Sequence, residues 1–185
     1  MTGSFVAVAG PSGSGKDTLI AWAREALGER GDVVFPRRAI TRPSGPGEDH
    51  EPLSDDEFAA VERAGGFALT WGAHGLRYGI PAAVRDDLAR GAVVVANVSR
   101  GSLADVRERF DRAVVVHVTV SPEVRLERIL ARGREDRAQA EARIARVAPP
   151  VEGAIEIRND GSVADGGAQL RDVLEAERDR LVGVR

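Results

Sequence analysis

A buried strand, a glycine-rich loop and a helix follow one another within the first 27 residues of the chain. The apolar run Phe5–Ala9 has no polar alternation, which is typical of a strand buried on both faces of a sheet. Gly10–Lys16 follows it and matches G-x-x-x-x-G-K, and Thr18–Leu27 has apolar residues at helical spacing. Glycines in such a loop let several backbone amides converge on one anion. The pattern therefore predicts a sheet with helices, and a phosphate-binding loop at the end of its first strand.

Lysine occurs once in the chain, at Lys16 inside this loop, whereas 25 of the 26 basic residues are arginine. A general preference for arginine explains the other positions but not this exception. A lysine side chain reaches the outer phosphates of a nucleotide as a flexible point charge. We expect Lys16 to hold the phosphates of ATP.

The residue after the lysine departs from the usual pattern, in which a serine or threonine hydroxyl binds Mg²⁺. Here it is Asp17, followed by Thr18. Either Asp17 coordinates Mg²⁺, directly or through water, or it only caps the helix and favours its dipole. The strand Ala92–Ala96 is followed by Asn97 and no carboxylate, where nucleotidases of this architecture usually place an aspartate for the metal. One hypothesis is that Asp17 replaces that missing charge.

Strands and helices alternate along most of the chain, which predicts an α/β protein with a mostly parallel sheet and helices on both faces. The length of 185 residues indicates a single domain, residues 1–185, with a core at 1–36 and 82–185 and an insertion at about 37–81. Three prolines predict a loop over residues 37–52, and a capping box predicts a helix from Ser54. The terminal helix is expected to begin at Ala168.

Composition excludes several classes of protein. The chain has no cysteine and 3 histidines, which excludes thiolate sites and argues against a multi-histidine metal site. A net charge of -3 does not favour nucleic-acid binding, and no apolar run is long enough for a membrane span. The N-terminus does not resemble a secretory signal, so a cytoplasmic location is expected. The oligomeric state stays open.

Arginines cluster between positions 125 and 146, around Gly133. Arg134 and Arg143 are candidates for neutralising a phosphoryl group in transfer, in which charge spreads over the equatorial oxygens. The alternative is a set of salt bridges on helix faces, because acidic residues lie among these arginines. A second group, in the insertion, contains Arg38 and Arg42, and Arg42 could bind an anionic acceptor together with Tyr78.

Several of these motifs together resemble the guanylate kinase superfamily, and the resemblance covers nearly the whole chain. They are Gly10–Thr18, Thr41-Arg42-Pro43 with Gly47-Glu48, Phe58, Phe67–Trp71, Tyr78-Gly79, Arg125–Gly133 and Arg143. The resemblance implies a three-layer P-loop NTPase fold, ATP at the phosphate loop, an acceptor at the insertion and an arginine lid at about 132–143. The groups that read guanine in that superfamily are missing here, because Leu69-Thr70 replaces an acidic residue and Arg38 replaces a small polar one.

A narrower resemblance is to the ribose 1,5-bisphosphate phosphokinases of phosphonate catabolism. It is carried by Lys16-Asp17, Ile40-Thr41-Arg42, Leu53-Ser54 with Glu57-Phe58, Trp71 with His74-Gly75-Leu76 and Tyr78-Gly79, Asn97 with Ser99-Arg100, Val120–Glu123, Arg132–Glu135 and Asn159–Ser162. It implies ATP-dependent phosphorylation of ribose 1,5-bisphosphate to 5-phosphoribosyl 1-diphosphate, with Mg²⁺. The alternatives are a nucleoside monophosphate kinase and a non-catalytic binding module of the same fold.

The resemblance also implies a role for each site residue. The ATP-binding residues would be Gly10, Pro11, Ser12, Gly13, Ser14, Gly15, Lys16, Asp17, Thr18, Arg132 and Asn159, the last near the adenine. The acceptor would be held by Arg38, Arg42 and Tyr78. Transfer would depend on Lys16, Arg134 and Arg143, and Asp17 would serve the metal.

Overall fold

The computed structural model of the chain describes residues 3–28, 31–45, 48–131, 136–144 and 150–183, the side chain of Arg143 excepted. Within them the chain forms nine strands and seven α-helices: β1 (Ser4–Ala9), α1 (Lys16–Leu27), β2 (Val33–Val34), β3 (Arg38–Ile40), β4 (His50–Pro52), α2 (Asp55–Arg63), β5 (Phe67–Ala73), β6 (Leu76–Pro81), α3 (Val84–Ala89), β7 (Val93–Asn97), α4 (Leu103–Arg109), β8 (Ala113–Thr119), α5 (Pro122–Ala131), α6 (Arg137–Ile144), β9 (Ile155–Arg158) and α7 (Val163–Gly183). A short 3₁₀ turn, Arg100–Ser102, precedes α4.

The main sheet has five parallel strands in the order β2-β7-β1-β8-β9. Strand β1 lies at its centre, and all six of its residues are buried, as its unbroken apolar run predicts. Val6 and Val8 pack with side chains of α1 and α7, whereas Phe5 and Ala7 pack with side chains of α3 and α4. Helices therefore cover both faces of the sheet, and the predicted three-layer α/β fold is confirmed.

A second sheet of four strands lies within residues 38–81, in the order β4-β3-β6-β5. Strand β6 pairs antiparallel with β3 and with β5, and β3 pairs parallel with β4. The expectation of a loop throughout residues 37–52 was wrong, because β3 and β4 occupy the two ends of that stretch. Pro52 is compatible with β4 because this strand lies at the edge of the sheet and Pro52 is its last residue.

The predicted capping box at the start of α2 is confirmed. The backbone amide of Glu57 donates to Ser54 Oγ over 3.3 Å, and the amide of Ser54 donates to Glu57 Oε2 over 2.7 Å. The hydrogen bonds that Ser54 donates to Glu57 Oε2, from its Oγ over 2.7 Å and from its amide, lower the pKa of the Glu57 carboxyl group. The capping box fixes where the chain turns from β4 into the helix of the insertion.

Helix α7 begins at Val163 and not at the expected Ala168. The backbone amide of Asp165 donates to Ser162 Oγ over 3.1 Å, which satisfies one of the unpaired amides of the first turn. Gly166 and Gly167 lie inside the helix, where they allow α7 to approach α1. A Cβ atom on Gly167 would lie 2.4 Å from a ring carbon of Trp22. None of the described helices is long and apolar enough to cross a membrane.

We expect Gly167→Ala to lower the stability of the protein, although alanine favours a helix over glycine by about 1 kcal/mol. The new methyl group would meet the indole close to its attachment, at 2.4 to 2.8 Å, so the whole ring or the helix has to move. Overpacking of this kind costs about 1–3 kcal/mol. Urea denaturation should give a net loss of about 1 kcal/mol.

Gly183→Ala is the matched control, because Gly183 ends the same helix and a Cβ atom there has no neighbour within 4 Å. This variant should be as stable as the parent protein or slightly more stable. Equal stabilities of the two variants would contradict the close packing of α7 on α1.

Candidate active site

The phosphate loop connects β1 to α1 over residues 10–15, at the carboxyl end of the central strand. Gly10 has φ +153° and lies so close to β8 that a Cβ atom would be 2.3 Å from the carbonyl oxygen of Val118. Only glycine fits this combination of conformation and space. The loop is therefore pressed against the sheet, and α1 begins directly after it with its positive end at the loop.

Lys16 is the first residue of α1, and its side chain folds back over the loop. Its Nζ atom donates to the carbonyl oxygens of Gly10 and Pro11 over 2.8 and 3.0 Å. The ammonium group is thus held at the mouth of the loop, where the terminal phosphates of a nucleotide are bound in proteins with this motif. That Lys16 holds the phosphates of ATP stays a prediction.

Three buried polar atoms around the loop have no hydrogen-bond partner within the described part of the chain: Ser14 Oγ, Asn159 Oδ1 and Arg128 NH1. Asn159 is 3% exposed, and its Nδ2 donates to the carbonyl oxygen of Ser14 over 2.8 Å. Asn159 therefore stabilises the conformation of the phosphate loop. Its contact with an adenine stays a prediction. In the sequence, Arg128 is one member of the general arginine cluster, and nothing there shows that α5 directs it towards Gly15.

Asp17 joins the phosphate loop region to both sheets. Its Oδ1 atom accepts a hydrogen bond from Asn97 Nδ2 over 2.6 Å and one from Arg38 NH2 over 3.1 Å. Arg38 also donates through NH1 to the backbone carbonyl of Asn97 over 3.2 Å. The aspartate after the loop and the asparagine at the end of β7 are thus direct neighbours. The hypothesis that Asp17 supplies the charge that β7 lacks requires this contact, and the role of Asp17 itself stays a prediction.

A cleft of about 440 Å³ lies between the phosphate loop and the β5–β6 hairpin. Trp71 and Tyr78 form its hairpin wall, with their rings stacked at 5.3 Å between centroids and 5° between planes. The opposite wall is formed by the loop itself, with Arg125 Nε donating to the carbonyl oxygen of Ser12 over 2.9 Å. Ser99 and Arg100, after β7, complete the lining. The predicted acceptor residue Tyr78 therefore faces the loop that is predicted to hold ATP.

A larger cavity of about 690 Å³ lies beside the cleft, between α1, β2 and the start of the second sheet. Asp17, Arg38 and Asn97 line both spaces and so form the boundary between them. Arg42 lines the larger cavity, where its NH1 donates to Glu48 Oε2. This hydrogen bond raises the pKa of the Arg42 guanidinium, although burial acts in the opposite direction. The structure thus places Arg38 and Tyr78 in the cleft and Arg42 beyond its boundary.

The predicted lid lies mostly outside the described residues. Arg132 and Arg134 belong to the segment that the structure does not describe. Arg143 lies on α6, but its side chain is not described either. Their assignments as ATP-binding and catalytic residues stay predictions.

The fold and the loop define the class of the protein as a P-loop kinase fold of the guanylate kinase type. The crystal structure of guanylate kinase from Anaplasma phagocytophilum superposes with a TM-score of 0.67. The match covers 95% of this chain and 86% of the other, at 18% sequence identity. At this identity the likeness concerns the fold alone.

Curated relatives identify the family within this class. Ribose 1,5-bisphosphate phosphokinase of Pseudofrankia inefficax is 54% identical over 179 residues, which cover 94% of this chain and 92% of the relative. The protein of the same name from Acidiphilium cryptum is 50% identical over 178 residues, 96% of each chain. No family model matches the chain. The chain belongs to the ribose 1,5-bisphosphate phosphokinase family, and it is a phosphotransferase of the kinase type.

Proposed function

We propose that the protein transfers the γ-phosphoryl group of ATP to ribose 1,5-bisphosphate, which gives 5-phosphoribosyl 1-diphosphate and ADP. The family supports this reaction, since its curated members carry the name of this kinase activity. The product would serve phosphonate catabolism, as the resemblance of the sequence implies.

The observation that carries the proposal is the position of Arg38 in the cleft. Its side chain is 19% exposed and bridges Asp17 to the end of β7. A guanidinium group therefore occupies the place where the sequence comparison with guanylate kinases expects a small group that reads a base. The hairpin wall opposite presents Trp71 and Tyr78, and no carboxylate lines the hairpin side of the cleft among the described residues. A guanidinium group binds the phosphate of a phosphorylated sugar, whereas a guanine base presents N–H donors that would need an acceptor on the hairpin side.

The proposed transfer is positional and electrostatic. The amides of the loop and the ammonium of Lys16 hold the β- and γ-phosphates of ATP, with Arg132 and Asn159 as further ATP-binding residues. Arg134 and Arg143 neutralise the transferring group, and Arg38 and Tyr78 hold the acceptor in the cleft. Arg42 would act on the acceptor only from the adjoining cavity, which Arg38 separates from the cleft.

The bond changes need no general base. An oxygen of the 1-phosphate forms a bond to the γ-phosphorus, the bond from the γ-phosphorus to the β–γ bridging oxygen breaks, and ADP leaves with that electron pair. The attacking oxygen is already ionised at neutral pH, so no proton has to be removed from it. This is consistent with a cleft lined by cations.

The residues around Asp17 fit a Mg²⁺ ion that arrives with ATP. Mg²⁺ is commonly held by one or two carboxylates, several waters and the substrate's phosphates. No cluster of three metal-ligating side chains exists among the described residues, so the site offers one carboxylate and no preformed cage. The Asp17 hydrogen bonds described above engage Oδ1, which leaves Oδ2 for the ion or its waters. When bound with ATP, Mg²⁺ would neutralise charge on the β- and γ-phosphates.

We expect the purified protein to release ADP from ATP in the presence of ribose 1,5-bisphosphate, and only weakly with GMP or AMP. The three acceptors are assayed separately in a coupled assay for ADP, and ³¹P NMR identifies the diphosphate product. Turnover of GMP without turnover of ribose 1,5-bisphosphate would replace this proposal with a nucleoside monophosphate kinase. Absence of turnover with all three acceptors would favour a non-catalytic binding module.

A further inference from the structure

Arg100 lines the cleft from the side of β7, in the short turn between that strand and α4. Its side chain is half-buried. Neither the sequence nor the proposed mechanism gives it a role. Ser99 fixes the backbone of this turn, because its Oγ accepts a hydrogen bond from the amide of Gly101 over 3.0 Å. The guanidinium therefore projects from a backbone of defined geometry, and this favours a specific contact over a mobile surface charge.

Arg100 differs from the two other described arginines of the cleft in its bonding. Arg38 is paired with Asp17, and Arg125 donates to the backbone of Ser12. Within the described part of the chain, Arg100 has no ion pair and no side-chain hydrogen bond. A half-buried guanidinium loses part of its hydration, and it usually recovers that free energy from a carboxylate or phosphate.

His117 of β8, on which the charge of Arg100 acts, does not balance this charge. Burial lowers the pKa of His117, and the charges of Arg100 and Lys16 lower it further, against the opposing charge of Glu156. His117 is therefore uncharged at neutral pH. The positive charge of Arg100 acts on the cleft together with that of Lys16.

We propose that Arg100 binds the phosphate of the acceptor that does not take part in transfer, which is the 5-phosphate of ribose 1,5-bisphosphate; this rests on the proposed function. The reacting phosphate has to lie in line with the γ-phosphate, at the end of the cleft where Lys16 and Arg38 lie. Arg100 comes from a different strand end. An acceptor with two phosphates on opposite sides of a ribose ring needs a second cation in the cleft besides those at the reacting phosphate, and Arg100 supplies one. Arg100 would then determine specificity for a bisphosphate.

The test compares Arg100→Gln with Arg109→Gln, a matched change at an exposed position on α4. For each variant, kcat/KM is measured with ribose 1,5-bisphosphate, together with KM for ATP. Ribose 5-phosphate and ribose 1-phosphate are then used as competitive inhibitors against the acceptor. Each keeps one of the two phosphates, and neither has to be a substrate.

In Arg100→Gln we expect kcat/KM for the bisphosphate to fall about 10- to 100-fold, the range for a hydrogen bond between charged groups. The inhibition constant of ribose 5-phosphate should rise by a similar factor, whereas that of ribose 1-phosphate and KM for ATP should stay within about twofold. Arg100→Lys should lose less, because it keeps the charge but not the planar fork, and it carries the same comparison if Arg100→Gln fails to fold. Arg109→Gln should behave like the parent protein.

Equal weakening of both monophosphates, or a raised KM for ATP, would overturn this role for Arg100. An unchanged profile of Arg100→Gln in an enzyme that turns over ribose 1,5-bisphosphate would also overturn it and leave the proposed function intact. A parent protein that does not turn over ribose 1,5-bisphosphate would remove the proposed function and this inference together.

Discussion

Lys16→Arg is expected to abolish phosphoryl transfer, although it preserves the charge. The ammonium group lies between the carbonyl oxygens of Gly10 and Pro11, at 2.8 and 3.0 Å, at the mouth of a loop that is pressed against β8. A thin lysine chain with a compact head fits there, whereas the planar guanidinium is wider and cannot turn between the same two oxygens. We expect kcat to fall about 1,000-fold, as for the loss of one group that stabilises the transition state.

The measurement is the steady-state rate with ATP and ribose 1,5-bisphosphate, together with the shift in melting temperature that ATP produces. Lys16→Met removes the charge at similar length, so equal losses in Lys16→Arg and Lys16→Met would show that the position requires a lysine and not only a cation. Arg63→Lys exchanges the same two residue types, in the opposite direction, at an exposed position on α2. It is the control for an effect of such an exchange away from the loop. A Lys16→Arg enzyme within about tenfold of the parent rate would contradict this account of the loop.

The sequence alone predicted those parts of the fold that depend on local patterns, and it missed those that depend on distant residues. The loop, the central strands and the capping box of α2 depend on residues close together in the chain, so local patterns predicted them. The strands β3 and β4 depend on pairing between residues far apart, such as Ile40 with Tyr78, and the prolines between them suggested only a loop. The start of α7 was missed for a related reason, because the glycines near its start, Gly166 and Gly167, lie against Leu19 and Trp22 of α1, which are distant in the sequence.

The candidate site divides in the same way. Lys16 could be assigned from the loop motif, because the motif fixes its position relative to the helix. The hydrogen bond of Asp17 with Asn97 joins residues 80 positions apart, and no local pattern contains it. A signal was nonetheless available, since parallel strands β1 and β7 end at the same edge of the sheet and Asn97 is the polar end of an apolar strand. Arg128 had no such signal among many arginines, and Arg100 was named only within a motif of the family resemblance, without a role.

Asp17→Asn is expected to lower kcat about 10- to 100-fold and to raise the Mg²⁺ concentration required for half-maximal rate by a similar factor. Asparagine keeps the oxygen that accepts from Asn97 and Arg38, so the geometry of this bridge should survive and only the negative charge is lost. The Mg²⁺ dependence of the rate at fixed ATP separates the two interpretations of Asp17. A residue that only favours the helix dipole would change stability and leave the Mg²⁺ dependence unaltered.

Exchanging Asp17 and Asn97 with each other provides the strictest test of whether the site requires the carboxylate of Asp17. In Asp17→Asn combined with Asn97→Asp, the carboxylate moves to the end of β7, where related folds place it, and the charge beside Arg38 is restored. If the site requires one carboxylate at this junction, the double variant should recover at least about tenfold of the rate that Asp17→Asn loses. If Asp17 acts only on α1, the second change has nothing to restore, and the double variant should be no faster than the single one. A single variant with full activity and an unchanged Mg²⁺ requirement would show that the charge of Asp17 plays no part in transfer.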